Sequence, residues 1–268
     1  MTSNEKQITW RLPDDRSEPV IKAKDHIFSA HRNCQLRLPK TAIVFFMGKG
    51  VEYLCENYPA RKMPELFPRF ANRCPIWEIG AYQICFLDGG RGAPQACDTV
   101  ETLAALGAEN IFTVGMFGAF DLRVRVGEII TPEKAFVEEG TSLHYYRSIA
   151  YAAPDSGLLE MTASRLQVKT YPIVSTDAVY RQTFKKEQLW REQGAVGVDM
   201  ETSAVFSVSA YLGIRAAAIM MASDVHPLTP DDPRWEWHMT DEMRFDLAEK
   251  SIELARGCIM PDASSAKF

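Results

Sequence analysis

Short, predominantly apolar runs of strand length punctuate this chain. They fall at 41–47 (Thr-Ala-Ile-Val-Phe-Phe-Met), 81–87, 110–116, 168–175 and 216–222, with a further one starting at 126–131. Continuous apolar runs, rather than strict alternation, are what strands buried on both faces look like. Between them lie segments with helical signals. One starts near Val51, after the turn Gly48-Lys49-Gly50. A second follows Pro94 and runs to Leu106, where Gly107 serves as the residue past the helix end. A third, 184–193, is highly charged and reads as an exposed helix. The last, 239–257, carries Phe245, Ala248, Ile252 and Ala255 at helical spacing, so one face should pack on the sheet. Alternation of strand and helix predicts a single α/β domain over 39–268, preceded by an irregular, proline-interrupted arm at 1–38.

Composition changes this picture little. Of 268 residues, 46% are hydrophobic and 24% charged, enough for a sizeable core. The net charge of −5, without a dense Lys/Arg run, argues against nucleic acid as a partner, because counterion release needs a basic surface. No stretch approaches the roughly 20 apolar residues of a membrane span, and the polar N-terminus does not read as a signal peptide. Six cysteines, none in a Cys-x-x-Cys pair, read as reduced thiols of a cytoplasmic protein.

The candidate chemistry is concentrated between 196 and 224. A short β run delivers Asp199-Met200-Glu201 to the mouth of a helix, and that helix feeds the apolar run ending at Ser223-Asp224. Glu201 and Asp224 thus belong to the C-terminal ends of two strands joined by one helix, where open α/β sheets build their sites. Glu201 alone is also a good first-turn residue beside a helix dipole, and Asp224 alone is a good helix cap or turn residue. Asp199 reads as structural. The glycine-rich turn at 89–92 allows close backbone approach to a ligand, since no Cβ intrudes.

Five motifs in order resemble the type I nucleoside phosphorylase superfamily, which includes purine nucleoside and uridine phosphorylases and related nucleosidases. They are Gly90-Arg-Gly-Ala-Pro-Gln-Ala96, Val114-Gly-Met-Phe-Gly-Ala119, Glu139-Gly-Thr-Ser-Leu-His-Tyr145, Gly197-Val-Asp-Met-Glu201 and Ser223-Asp224. The resemblance covers about residues 40 to 257. It implies a three-layer α/β/α sandwich around a central mixed sheet, and cleavage of a nucleoside's N-glycosidic bond. Glu201 would accept the ribose 2′ and 3′ hydroxyls, with Met200 packing under the sugar. Asp224 matches the general acid that protonates a purine at N7, which uridine phosphorylases lack. Val179, Tyr180 and Phe117 fall where the family holds the base. Gly48 and Arg91, with Arg69 reaching from a neighbouring subunit, would bind phosphate as co-substrate. No metal or organic cofactor is implied, and the partners would be a nucleoside, phosphate and further copies of the chain in a dimer-based oligomer, a hexamer among the forms.

The chain also departs from the family pattern. The first phosphate loop lacks its arginine, another arginine position is Thr113, and the loop hydroxyl residue is Met116. Hydrolysis of the same bond, or a non-catalytic nucleoside-binding role, therefore stays open beside phosphorolysis. Chemistry sets two further expectations: Asp224 should be protonated near neutrality through burial, and Glu201 should be ionised to accept a diol. His26 or His31 is a candidate at the ribose 5′ end, and His144 reads as structural. The Trp235-Glu-Trp237 cluster past a Pro-rich loop fits either a lid over the base or an oligomer contact.

Overall fold

The computed structural model describes residues 17–258. A short helix α1 (Ala23–Ile27) precedes β1 (Thr41–Phe45) and α2 (Gly50–Asn57). Then come β2 (Arg61–Lys62), β3 (Ile76–Ile79), β4 (Ile84–Asp88), α3 (Ala93–Ala105), β5 (Asn110–Ala119) and β6 (Ile129–Glu138). The second half is β7 (Tyr151–Ala152), α4 (Ser156–Leu166), β8 (Lys169–Thr176), α5 (Phe184–Glu192), β9 (Gly197–Asp199), α6 (Thr202–Leu212), β10 (Arg215–Val225) and α7 (Asp241–Gly257).

All ten strands join one mixed sheet. Successive strand residues face opposite cores: Ala42 and Val44 of β1 lie in one cluster, Ile43 and Phe45 in the other. The same split separates Ala216, Ala218, Met220 and Ala222 of β10 from Ala217, Ile219 and Met221. Helices α1, α3 and α6 pack together, as do α2, α4 and α7, so the sheet has helical cover on both faces. This is the α/β/α layering, and it explains why the strand runs read as continuously apolar.

The sheet also closes on itself, which layering alone does not convey. Parallel pairing joins β4 to β1, β1 to β5 and β5 to β10. From β10 the path continues antiparallel to β6, parallel to β8, parallel to β9, and antiparallel back to β5. A five-stranded ring results, with β1, β4, β3 and β2 as a wing.

Strand β5 makes closure possible by changing neighbours. Its first half, Asn110 to Val114, pairs with β1, whereas Gly118 and Ala119 pair with β9. The strand predicted at 110–116 thus extends to Ala119, ten residues in all. Close packing at the seam needs glycine at 197, where a Cβ would sit 2.2 Å from Phe117 Cδ2 and 2.7 Å from the Gly118 carbonyl oxygen. Gly197→Ala should cost about 1–3 kcal/mol, the usual range for overpacking; urea unfolding that leaves the midpoint unmoved would contradict this view of the seam.

Candidate active site

Four parallel strands, β4, β1, β5 and β10, end on one edge of the sheet. The turns following β1 and β4 carry the candidate anion-binding residues. Gly48 is exposed and Lys49 adopts a left-handed φ of 72°. Gly89 N–H donates to Phe45 O at 2.8 Å, tying the second turn to the end of β1. Gly90 and Gly92 have φ of 85° and 80°, conformations that glycine adopts without strain. The Asp88 carboxylate accepts from Gly90 N–H at 2.8 Å, and Gln95 Oε1 accepts from Arg91 N–H at 2.8 Å. These bonds fix the turn at the head of α3.

The strand that carries Asp224 and the strand that leads to Glu201 both pair with β5 at one residue. Gly118 of β5 is the partner of Asp224 on β10 and of Val198 on β9. Register shifts between Ala222 and Asp224, a bulge centred on Ser223 that re-aims the aspartate. Ser223 Oγ donates its proton to Asp224 Oδ1 and lies 3.2 Å from Phe117 O. On the other flank, Asp199 is buried and accepts from Ser175 Oγ at 2.5 Å, Thr202 Oγ1 at 2.5 Å and Thr202 N–H at 2.9 Å. It anchors the start of α6, the structural task its position suggested. Glu201 then reaches the glycine turn, where its Oε1 accepts from Gly92 N–H at 2.6 Å. Glu201 and the glycine turn therefore touch directly.

Both expectations about protonation are corrected. Burial pushes the Glu201 carboxyl up, the Asp199 charge adds to the push, and the Gly92 and Met200 amides and Arg91 only partly offset it; the result is about 7. Glu201 is thus poised at neutrality rather than firmly ionised. For Asp224, burial raises the carboxyl, but hydrogen bonds from His226, Ser223 and Trp235, together with the His226 charge, hold it below its ordinary value. Its proton is not kept by a dry pocket, because three donors favour the carboxylate.

The remaining candidates are distributed as follows. Met200 is half-buried next to Glu201, and Phe117 is buried in the core against Gly197. Val179 and Tyr180 lie in a one-turn helix at 179–181, Val179 48% and Tyr180 95% exposed. Arg91 is exposed and pairs with Asp88 at 3.1 Å. Arg69 does not reach outward to a neighbour: it is buried within its own chain, donating from Nε to Asn72 O at 2.8 Å and from Nη1 to Thr99 Oγ1 at 3.1 Å. A Cβ on Gly90 would sit 3.0 Å from Arg69 Nη1, so this cation lies beneath the glycine turn. His26 Nε2 accepts from Arg32 Nε at 3.0 Å.

Two residues escaped the sequence reading. His226 stands beside Asp224, with Nε2 to Oδ2 at 3.2 Å, and its Nδ1 lies 2.7 Å from Glu187 Oε1. Glu187 belongs to the charged helix α5, read as a solvated face, yet it is buried. The only local signal was Trp190, three residues on and also buried, which marks an inward-facing stripe on that helix. Trp235 donates from Nε1–H to Asp224 Oδ2 at 2.5 Å, which places its half-exposed ring beside the acid.

Among the described residues no helix is long and apolar enough to cross a membrane. The profile of the phosphorylase superfamily matches residues 40–256. A guanosine phosphorylase from Halorubrum lacusprofundi is 33% identical over 136 residues, 48% of this chain and 56% of that protein, so the match spans little more than half of the relative. Two solved structures share the fold. Purine nucleoside phosphorylase from Toxoplasma gondii, in complex with immucillin-H, superposes with a TM-score of 0.69 at 16% identity, covering 83% of this chain and 92% of that one. AMP nucleosidase from Bacteroides thetaiotaomicron gives 0.63 at 19%, covering 83% and 90%. With the superfamily profile spanning the ring, the glycine turn and both acids, this chain belongs to the phosphorylase superfamily, the enzymes that comprise nucleoside phosphorylases and nucleosidases.

Proposed function

We propose that this protein cleaves the N-glycosidic bond of a purine nucleoside, with phosphate as the acceptor. The observation that carries the reading is the Glu201–Gly92 contact, with Asp224 registered across Gly118 on the same strand edge. A carboxylate able to take a ribose diol borders a turn able to take an anion, and an acid stands across β5 from them.

Bond cleavage builds positive charge on the ribose and negative charge on the departing purine. Stabilisation must lie where those charges develop. Glu201 fixes the diol, Asp224 delivers a proton to the base, and the phosphate lies against the 89–92 turn with Arg69 beneath it, taking over amides that Asp88, Gln95 and Glu201 hold in the free protein. Arg69 is a buried guanidinium whose bonds go to a carbonyl and a hydroxyl, so its charge is available to an anion above the turn. Gly48 and Arg91 flank the same edge. Val179 and Tyr180 would close on a bound base, with Phe117 backing that wall. Support also comes from the guanosine phosphorylase relative. Phosphate is the co-substrate in this reading, no metal or organic cofactor takes part, and the exposed 179–181 turn would be covered by another copy of the chain in a dimer-based oligomer. The reading implies a cytoplasmic enzyme of nucleoside metabolism.

Hydrolysis is the second reading, favoured by Thr113 and Met116, which put no cation at the first position and no hydroxyl at the second. A panel of inosine, guanosine, adenosine and uridine, assayed with and without phosphate, tests both. We expect purine release that requires phosphate and yields ribose 1-phosphate. Release indifferent to phosphate would transfer the assignment to hydrolysis, and binding without turnover would mark a non-catalytic descendant.

A further inference from the structure

We propose that His226, anchored by Glu187, is a positioning residue that keeps a proton beside Asp224 and passes it on as the purine departs. This rests on the reading of Asp224 as the acid.

The arrangement is a three-member line from three elements. Glu187 Oε1 on α5 lies 2.7 Å from His226 Nδ1, and His226 Nε2 lies 3.2 Å from Asp224 Oδ2 at the end of β10. The ring is seated from below by Gly118 of β5, where a Cβ would come within 2.3 Å of Nε2. The backbone is held too, since His226 N–H donates to Ala119 O at 2.7 Å. The Phe120 ring stands at its side, 6.5 Å between centroids. With a carboxylate at each nitrogen, both ring nitrogens donate, which only the imidazolium can do.

Other charges nearby are engaged elsewhere. Arg191 of α5 donates to Phe120 O at 3.0 Å, and Lys186 pairs with Glu138 at 2.7 Å. In the 227–233 loop, the Asp232 carboxylate accepts from Leu228 and Thr229 N–H, each at 2.8 Å. His226 therefore feels two carboxylates. Burial pulls it down, but the bonds and charges of Asp224 and Glu187 carry it up to about 9. The pair holds one shared proton across the neutral range, stored on the imidazole rather than on the acid.

The step balances with one proton. As the C1′–N9 electron pair moves onto the purine, the acceptor oxygen bonds to C1′. The Nε2–H bond of His226 breaks and an O–H bond forms at Asp224 Oδ2; that bond then breaks as N7–H forms. Neutral imidazole, a carboxylate and a protonated base remain. Trp235 must withdraw its N–H from Oδ2 for N7 to approach.

The test is the pH profile of kcat/KM on guanosine with phosphate, for the wild type, His226→Gln and Glu187→Gln. The wild type should lose activity on an alkaline limb near 9. His226→Gln should lower kcat by about 10- to 100-fold at pH 7.5 with little change in KM, and should lack that limb. Glu187→Gln should move the limb down by about one pH unit, because one of two flanking charges is gone. If His226→Gln does not fold, the shift in Glu187→Gln decides. Variants that retain the wild-type limb and kcat overturn the role of His226 while leaving the acid intact. A wild type that releases no base from any purine nucleoside overturns the proposed activity and this role with it.

Discussion

Asp224→Asn should reduce purine release by about 10²-fold or more, with the loss in kcat rather than KM. General acid help to a leaving group is typically worth about 10²- to 10⁴-fold, and an amide cannot carry the proton. The substitution preserves shape: with its oxygen in the place of Oδ2 the amide still accepts from Trp235 and His226, and its NH2 in the place of Oδ1 donates to Ser223 Oγ. His226 keeps Glu187 as a counter-charge. The variant should therefore fold, which separates a chemical loss from a structural one. Substrates with better leaving groups should lose less, because a base that departs readily as an anion needs no proton. A variant that cleaves guanosine at the wild-type rate would sink the assignment of Asp224 as acid. Equal losses for good and poor leaving groups would mean that Asp224 serves binding instead.

Much of the frame was legible because its cause is local. The run at 41–47 became β1 since every residue of it is buried between two cores. Helix α3 follows the Gly92–Pro94 start and ends before Gly107, whose φ of 94° needs a glycine. Strands β2, β3 and β7 were missed because two to four residues carry too little period, and α4 because its apolar face is narrow. At the site, Glu201 and Asp224 were legible as strand-end acids, whereas the identity of their neighbours was not. How far β5 runs past Met116 depends on β9, which arrives from far along the chain to pair with Gly118 and Ala119. Whether Glu187 faces water depends on His226, thirty-nine residues on, and on the bulge at Ser223 that brings Asp224 to the same ring. Proton location followed from those contacts, so it could not be read from an apolar run alone. Burial by itself would have raised Asp224; the donors that reverse the sign come from Ser223, Trp235 and His226.

Glu201→Gln should weaken riboside binding by about 10- to 100-fold or more while leaving free-base binding nearly unchanged. A carboxylate accepts both diol hydrogens, and hydrogen bonds to a charged group are worth about 1.5–3 kcal/mol each; an amide presents one acceptor and one wrong-signed donor. The wild type should also lose riboside affinity as pH falls below about 7, where Glu201 takes up a proton. The variant should lack that dependence. Stability should move in the opposite sense. A carboxyl raised from 4.5 to about 7 in the fold favours the native state fully below pH 4.5, and this favour is lost as pH climbs through 7. Ionised Glu201 is then a buried charge beside Asp199. Its neutral isostere should stabilise the protein at pH 8 by on the order of 1–3 kcal/mol and by little at pH 4.5. Thermal unfolding at the two pH values, paired with titrations of guanosine and guanine, reads both effects. A variant that binds ribosides and bases equally less well, or that gains nothing at pH 8, would contradict a strained acid held for the sugar. The joint outcome, weaker binding of ribosides in a more stable protein, is what a site that spends stability on function should give.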